Sequence, residues 1–287
     1  MTQVNNFSTF DIKIPSGKNY DKAEFRLLIN NNKKIRGVLV LLHGSNLDAR
    51  PWVDNSFWQR IAERHNFGLL GCYYTDYQHE TMNIEEYAKV SDGSGQALLE
   101  ALNEFSKLSS HPELAEAPLV MWGISAGGEF NYEFACWKPE RVIAFIVNKG
   151  GIYYTALADK AARVVPALFF IGGKDSQFRN DIIKGIFAVN RKFGALWALT
   201  EEPGAVHELG RTLEMSEIFF DEIIPLRLSG AKSLLCTLPE DTGFIGDLKQ
   251  LSYSSYEELL VKDQLTAWLP TEKTAQAWTS IVKGKPF

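Results

Sequence analysis

The chain has 287 residues, 45% of them hydrophobic and 23% charged, with 30 Lys and Arg against 35 Asp and Glu and a formal charge of −5. That composition belongs to globular proteins and excludes a disordered or collagen-like chain; with no run of like charges, it offers no electrostatic footprint for nucleic acid or an anionic membrane. No apolar stretch approaches the ~20 residues a spanning helix needs.

Residues 7–15 and 23–30 alternate apolar and polar side chains and predict two antiparallel strands separated by the turn Pro15-Ser16-Gly17-Lys18-Asn19. Residues 37–43 form a nearly continuous apolar run, as a central strand covered on both faces requires. Helices predicted at 57–65, 92–108, 126–137, 177–193 and 212–226 then alternate with strands at 67–74, 119–124, 142–148, 166–172 and 195–200. The pattern is an α/β fold: a doubly wound, mostly parallel eight-stranded sheet with helices on both faces. Residues 75–91 make a long aromatic-containing loop, and 150–163 are too few to hold a lid domain. Residues 1–229 are read as the core domain, and 230–287 as a C-terminal extension packed on it, with a last helix around 275–283.

Residues 1–10 lack the basic and apolar regions of a secretory signal. Cys72, Cys136 and Cys236 are odd in number and show no CxxC spacing, so the expectation is free thiols in a reducing cytoplasm. No His/Cys/Asp cluster has metal-ligand spacing.

Gly123-Ile124-Ser125-Ala126-Gly127 is a G-x-S-x-G sequence between an apolar strand and a helix-forming run. A nucleophilic serine needs such a sharp strand-to-helix turn, which lifts its side chain clear of the sheet. The glycines permit close backbone approach, and the helix N-terminus adds partial positive charge near a developing oxyanion. Small residues here also suit tight helix packing or a phosphate-binding turn. A dinucleotide fingerprint, however, needs glycine where Ser125 stands, and no Gly-Lys-Ser/Thr is present.

An unassisted serine is a weak nucleophile and requires a base. Of five histidines, His207 alone follows Ser125, in a loop leaving the C-terminal end of the strand at 195–200. Asp175 follows the strand at 166–172. In open α/β sheets that edge is where catalytic groups gather. Ser125 as nucleophile, His207 as general base and Asp175 as orienting acid therefore fall in the chain order nucleophile, acid, base. Asp175 could instead cap the next helix, and Asp159 and Asp181 are weaker candidates for the acid.

Leu41-Leu42-His43-Gly44-Ser45-Asn46 closes the central strand with a tight loop, so a backbone N–H of Ser45 or Asn46 is expected to join that of Ala126 in an oxyanion hole. His43 is read as a hydrogen-bonding strut for that loop.

Over residues 37–228 these features resemble the α/β-hydrolase superfamily, and the lidless core with His43-Gly44 resembles small esterases related to polyhydroxybutyrate depolymerases and feruloyl esterases. The lipase-type His-Gly-Gly-Gly loop is absent, with Ser45 and Asn46 in place of its later glycines. The resemblance implies two-step acyl transfer without metal or organic cofactor. Trp52, Tyr74, Tyr153 and Tyr154 are expected to wall an aromatic or hydrophobic substrate cleft for a small ester. Two other functions fit the same residues: an acyltransferase or lyase, and a non-catalytic binding protein that keeps the fold.

Overall fold

The computed structural model describes residues 6–82, 84–228, 235–258 and 265–287. Phe7–Ile14 (β1) pairs antiparallel with Lys22–Asn30 (β2), Phe7 opposite Asn30. Gly37–Leu42 (β3) leads through Ser56–His65 (α1) to Phe67–Thr75 (β4), and Ser94–Leu108 (α2) to Leu119–Ile124 (β5). Ala126–Trp137 (α3) precedes Val142–Asn148 (β6), short Lys160–Arg163 (α4) precedes Ala167–Gly172 (β7), and Gln177–Lys192 (α5) precedes Trp197–Glu202 (β8). Thr212–Arg227 (α6) follows. The sheet order is β1-β2-β4-β3-β5-β6-β7-β8, parallel from β4 to β8, with β2 antiparallel to β4. This is the predicted α/β architecture with all eight strands.

The continuous apolar runs are explained by two cores, one on each face of the sheet. In β3, Val38, Val40 and Leu42 point into a core with α2, α3 and α5, whereas Leu39 and Leu41 point into one with α1 and α6. Strands buried on both faces have no reason to alternate. β8 ends two residues later than predicted, because Glu201 and Glu202 remain paired with Ile171 and Gly172. That shift places Glu202 at the C-terminal edge of the parallel strands.

The C-terminal region contains elements the pattern did not predict: Phe244–Asp247 (β9), Ser252–Ser255 (β10) and Thr266–Leu269 (β11), in the antiparallel order β10-β9-β11. Four-residue strands rich in Ser, Gly and Asp carry too little periodicity to announce themselves. Glu272–Val282 (α7) packs beside α6 in the second core, and the Trp278 indole donates to Leu199 O of β8 at 2.8 Å. No helix among the described residues is long and apolar enough to cross a membrane.

Candidate active site

Ser125 occupies the turn between β5 and α3 with φ 54° and ψ −126°, a left-handed conformation that costs energy for any residue with a Cβ. Its carbonyl accepts the amides of Gly128 (2.8 Å) and Glu129 (3.1 Å), which starts α3, and its own N–H donates to Asn148 O of β6 at 2.9 Å. The turn is too tight for side chains at its glycines. A Cβ at Gly123 would fall 2.2 Å from Gly127 O, and one at Gly127 would fall 2.5 Å from Leu42 O and 2.6 Å from His43 O. The flanking glycines of the motif thus serve close backbone packing, as the chemistry of such a turn requires.

Asp175 lies three residues past β7 and His207 five past β8, on the same sheet edge. His207 Nδ1 stands 2.9 Å from Asp175 Oδ2. The other carboxylate oxygen accepts the Ser176 amide (2.6 Å) and the Arg179 guanidinium (2.9 Å). Burial alone would push the Asp175 carboxyl up, but the hydrogen bonds from His207 and Ser176 and the charges of His207 and Arg179 outweigh it and hold it below the usual carboxylate range. An ionised carboxylate only accepts, so His207 Nδ1 carries the shared proton, and in the neutral imidazole that tautomer leaves Nε2 as the acceptor. The alternative acids Asp159 and Asp181 are exposed; Asp181 accepts from Gln177 instead. Ser125 Oγ makes no hydrogen bond among the described residues, so the structure joins Asp175 to His207 and leaves Ser125 unjoined.

A carboxylate partner does not by itself distinguish His207. His65 pairs with Asp221 at 2.9 Å, His79 with Asp76 at 3.3 Å and His111 with Glu113 at 3.1 Å. His65 and His111 precede strands at the opposite edge, whereas His79–Asp76 follows β4 on the edge that carries Ser125; His207 differs from that pair in following Ser125 in the chain, with its carboxylate after β7 and the imidazole after β8. Among the described residues no three His, Cys, Asp or Glu side chains are grouped to hold a metal, and no disulfide joins Cys72, Cys136 or Cys236.

The loop after β3 lies against the nucleophile: a Cβ on Gly44 would be in ordinary contact with Ser125, 3.4 Å from its Cβ. His43 Nδ1 accepts the Gly44 amide at 2.7 Å, its ring is 4.5 Å from Trp52, and burial lowers its pKa; a neutral imidazole bracing the loop fits all three. Of the two loop amides expected in the oxyanion hole, that of Asn46 is diverted, donating to the Tyr87 hydroxyl at 3.3 Å. The amides of Ser45 and Ala126 have no acceptor among the described residues.

The aromatic cleft is corrected at one position, Tyr74. Tyr74 is 3% exposed; its hydroxyl donates to Ser94 O at 2.8 Å and its ring packs among Phe25, Tyr87 and Phe130 in the core. Trp52 is half-buried, packing on His43 and edge-on to Trp122 beside the loop after β3. Tyr74 lies within β4, a strand covered by the core, where interior packing claims the ring first. Tyr153 packs edge-on against Tyr132, its buried hydroxyl without a hydrogen-bond partner among the described residues, and Tyr154, 40% exposed, is the most open of the four rings. Tyr74→Phe is therefore expected to lower stability by about 1 kcal/mol through its lost hydrogen bond and to leave turnover unchanged, which denaturant melts and kinetics would check together.

Sequence reasoning passed over two buried acids that shape this edge. Glu129 and Glu133, one turn apart on α3, hold the segment after β6: Glu129 Oε1 accepts from Gly151 (2.6 Å) and Ile152 (3.0 Å), and Glu133 Oε1 from Tyr154 (2.7 Å) and Thr155 (2.8 Å). Their i, i+4 spacing in a helix was the available signal. Burial, reinforced by the charge of Glu85, pushes the Glu129 carboxyl up to about 8. Because the folded value lies above the ordinary 4.5, the stability of the neutral acid is fully present below that value and is lost as pH rises toward about 8. Glu129→Gln keeps an acceptor for both amides and cannot ionise. Its melting temperature should stay flat from pH 5 to 8 where the wild type falls, a difference on the order of a few kcal/mol at the alkaline end.

No protein-family model matches the chain, and no curated protein does. Solved structures do. A poly(aspartic acid) hydrolase-1 from Sphingomonas sp. KT-1 aligns with a TM-score of 0.55 at 16% identity, covering 75% of this chain and 98% of that one. A ferulic acid esterase aligns with a TM-score of 0.53 at 13% identity, covering 74% and 96%. At such identities the likeness establishes the fold alone.

Proposed function

We propose that this chain is a serine hydrolase that cleaves a carboxylic ester through an acyl-enzyme. The supporting observation is the conjunction on one sheet edge of a strained, glycine-flanked Ser125 turn and a His207–Asp175 hydrogen bond of 2.9 Å. In the first step His207 Nε2 takes the Ser125 hydroxyl proton while Oγ attacks the ester carbonyl. The tetrahedral oxyanion is received by the amides of Ser45 and Ala126, with the N-terminus of α3 adding positive potential. The C–O bond to the alcohol then breaks and His207 returns the proton to the leaving oxygen. Water, deprotonated by the same imidazole, releases the acid and restores Ser125. Asp175 stays ionised and stabilises the imidazolium formed in each step. The missing Ser125–His207 hydrogen bond is of the kind that closes when substrate binds.

The neighbours' printed names, a poly(aspartic acid) hydrolase and a ferulic acid esterase, lend the hydrolytic reading support. With Tyr74 committed to the core, Tyr154, 40% exposed, is the most accessible of these aromatics to meet an acyl or alcohol group. The test is a fluorophosphonate probe followed by peptide mapping. One adduct on Ser125, absent in Ser125→Ala, is the expected result, and p-nitrophenyl esters of graded acyl size then define the substrate. No adduct on the folded protein would overturn the reading. Product that forms only when an alcohol or amine acceptor is added would reassign the site to acyl transfer.

A further inference from the structure

We propose that Lys149 is a positioning residue that sets the spacing between the Ser125 turn and the His207 loop through Asn148 and Glu202, an inference that rests on the triad reading above. Lys149 follows β6, between the strands that deliver Ser125 and Asp175. Its backbone is left-handed (φ 53°) and its side chain is fully buried, 0% exposed. A buried ammonium persists only when it is paired and hydrogen-bonded, so such a residue marks a place where the surroundings hold it.

Its two partners are the residues that tie the catalytic loops together. Lys149 Nζ donates to Asn148 Oδ1 at 3.2 Å and lies 3.6 Å from Glu202 Oε2, an oxygen with no hydrogen-bond partner among the described residues. On the nucleophile side, Asn148 O accepts the Ser125 amide at 2.9 Å, and Asn148 Nδ2 donates to Thr212 Oγ1 at 3.1 Å. On the other side, Glu202 holds both ends of the loop that carries His207: its main-chain oxygen accepts the Ala205 amide at 3.2 Å, and Oε1 accepts the Arg211 amide at 3.0 Å. The same main-chain oxygen accepts Gly173 N–H at 2.9 Å, at the start of the Asp175 turn.

Lys149 is thus the link between a residue bonded to the nucleophile and a residue bonded to the base and acid loops. The chain keeps room for this carboxylate: Gly210 has φ 54°, and a Cβ there would fall 2.1 Å from Glu202 Oε2. The charged groups facing Lys149 are Glu202 on β8, Asp175 after β7 and Glu208 in the His207 loop, all anionic, while burial opposes its charge.

An ion pair that served stability alone could be replaced by neutral groups of like shape with no effect on chemistry. The test uses the full chain as wild type and as Lys149→Met/Glu202→Gln, which removes both charges and keeps an acceptor for Arg211. Melting temperature and the rate of fluorophosphonate labelling at Ser125 are measured, the latter resolved into maximal rate and half-saturating probe concentration. The double variant should melt cooperatively, with its maximal labelling rate lowered about tenfold to a hundredfold and half-saturation within about twofold, as for a misplaced but intact site. The His207 ring resonances should move with it. A double variant that folds and labels at the wild-type rate overturns the proposal.

If that variant fails to fold, Glu202→Gln alone answers the question, because it keeps every backbone bond of Glu202 and lets Lys149 release its proton. A lowered maximal rate supports the positioning role, and an unchanged one overturns it. A folded wild type that takes no label overturns the triad itself and this proposal with it, a result distinct from equal labelling of wild type and variant.

Discussion

Replacing Ser125 with alanine should lower ester turnover by about 10⁵ to 10⁶-fold and abolish fluorophosphonate labelling, leaving only the rate that oxyanion and binding groups supply without a nucleophile. The fold should survive. Ser125 Oγ makes no hydrogen bond among the described residues, and the turn is held by main-chain bonds from Ser125 N to Asn148 O and from Gly128 and Glu129 to Ser125 O. Alanine keeps the Cβ and hence the strain of φ 54°, so its melting temperature should match the wild type. Glycine removes that strain, and Ser125→Gly should be more stable by about 1–3 kcal/mol while equally inactive. A stabilised, inactive glycine variant would mark the turn as strain kept for chemistry. If Ser125→Ala retains more than about a hundredth of the wild-type turnover, the nucleophile lies elsewhere.

The parts of the site readable in the sequence are those fixed by chain order and local backbone chemistry. Ser125 could be named because a turn that tight admits few residues, and its glycines are the ones a Cβ would drive into main-chain oxygens. Asp175 and His207 could be named because strands covered on both faces read as apolar runs with clear ends, and catalytic groups follow such ends. Tyr74 was misplaced because an aromatic residue near a strand end reads the same whether it fills the core or lines a cleft; only three-dimensional packing separates the two. Asn46 failed as an oxyanion donor for a related reason, since its amide is claimed by Tyr87, a residue 41 positions away. Lys149 and Glu202 are 53 positions apart and meet only because β6, β7 and β8 are neighbours, a pairing no local pattern carries.

Asp175→Asn is expected to cut turnover by about 10⁴-fold while Asp159→Asn and Asp181→Asn stay near the wild type. The size of the effect follows from which way the new amide must face. Both donors on the inner side, Ser176 N–H and the Arg179 guanidinium, point at Oδ1, so the amide oxygen is held there and the NH2 group takes the place of Oδ2 against His207. An NH2 group donates, so His207 must accept through Nδ1, and its proton moves to Nε2. The imidazole is then in the tautomer that cannot take a proton from Ser125, with little change in shape. Stability should respond separately. The Asp175 carboxyl is held below the usual range, so its contribution is present above the unfolded value and lost as pH falls through the folded one. The asparagine variant should lack that acid-side loss. Nitrogen chemical shifts of the His207 ring, read with turnover, decide the matter: a 10⁴-fold loss with the Nδ1–H tautomer retained would show that Asp175 acts by charge and not by fixing the proton.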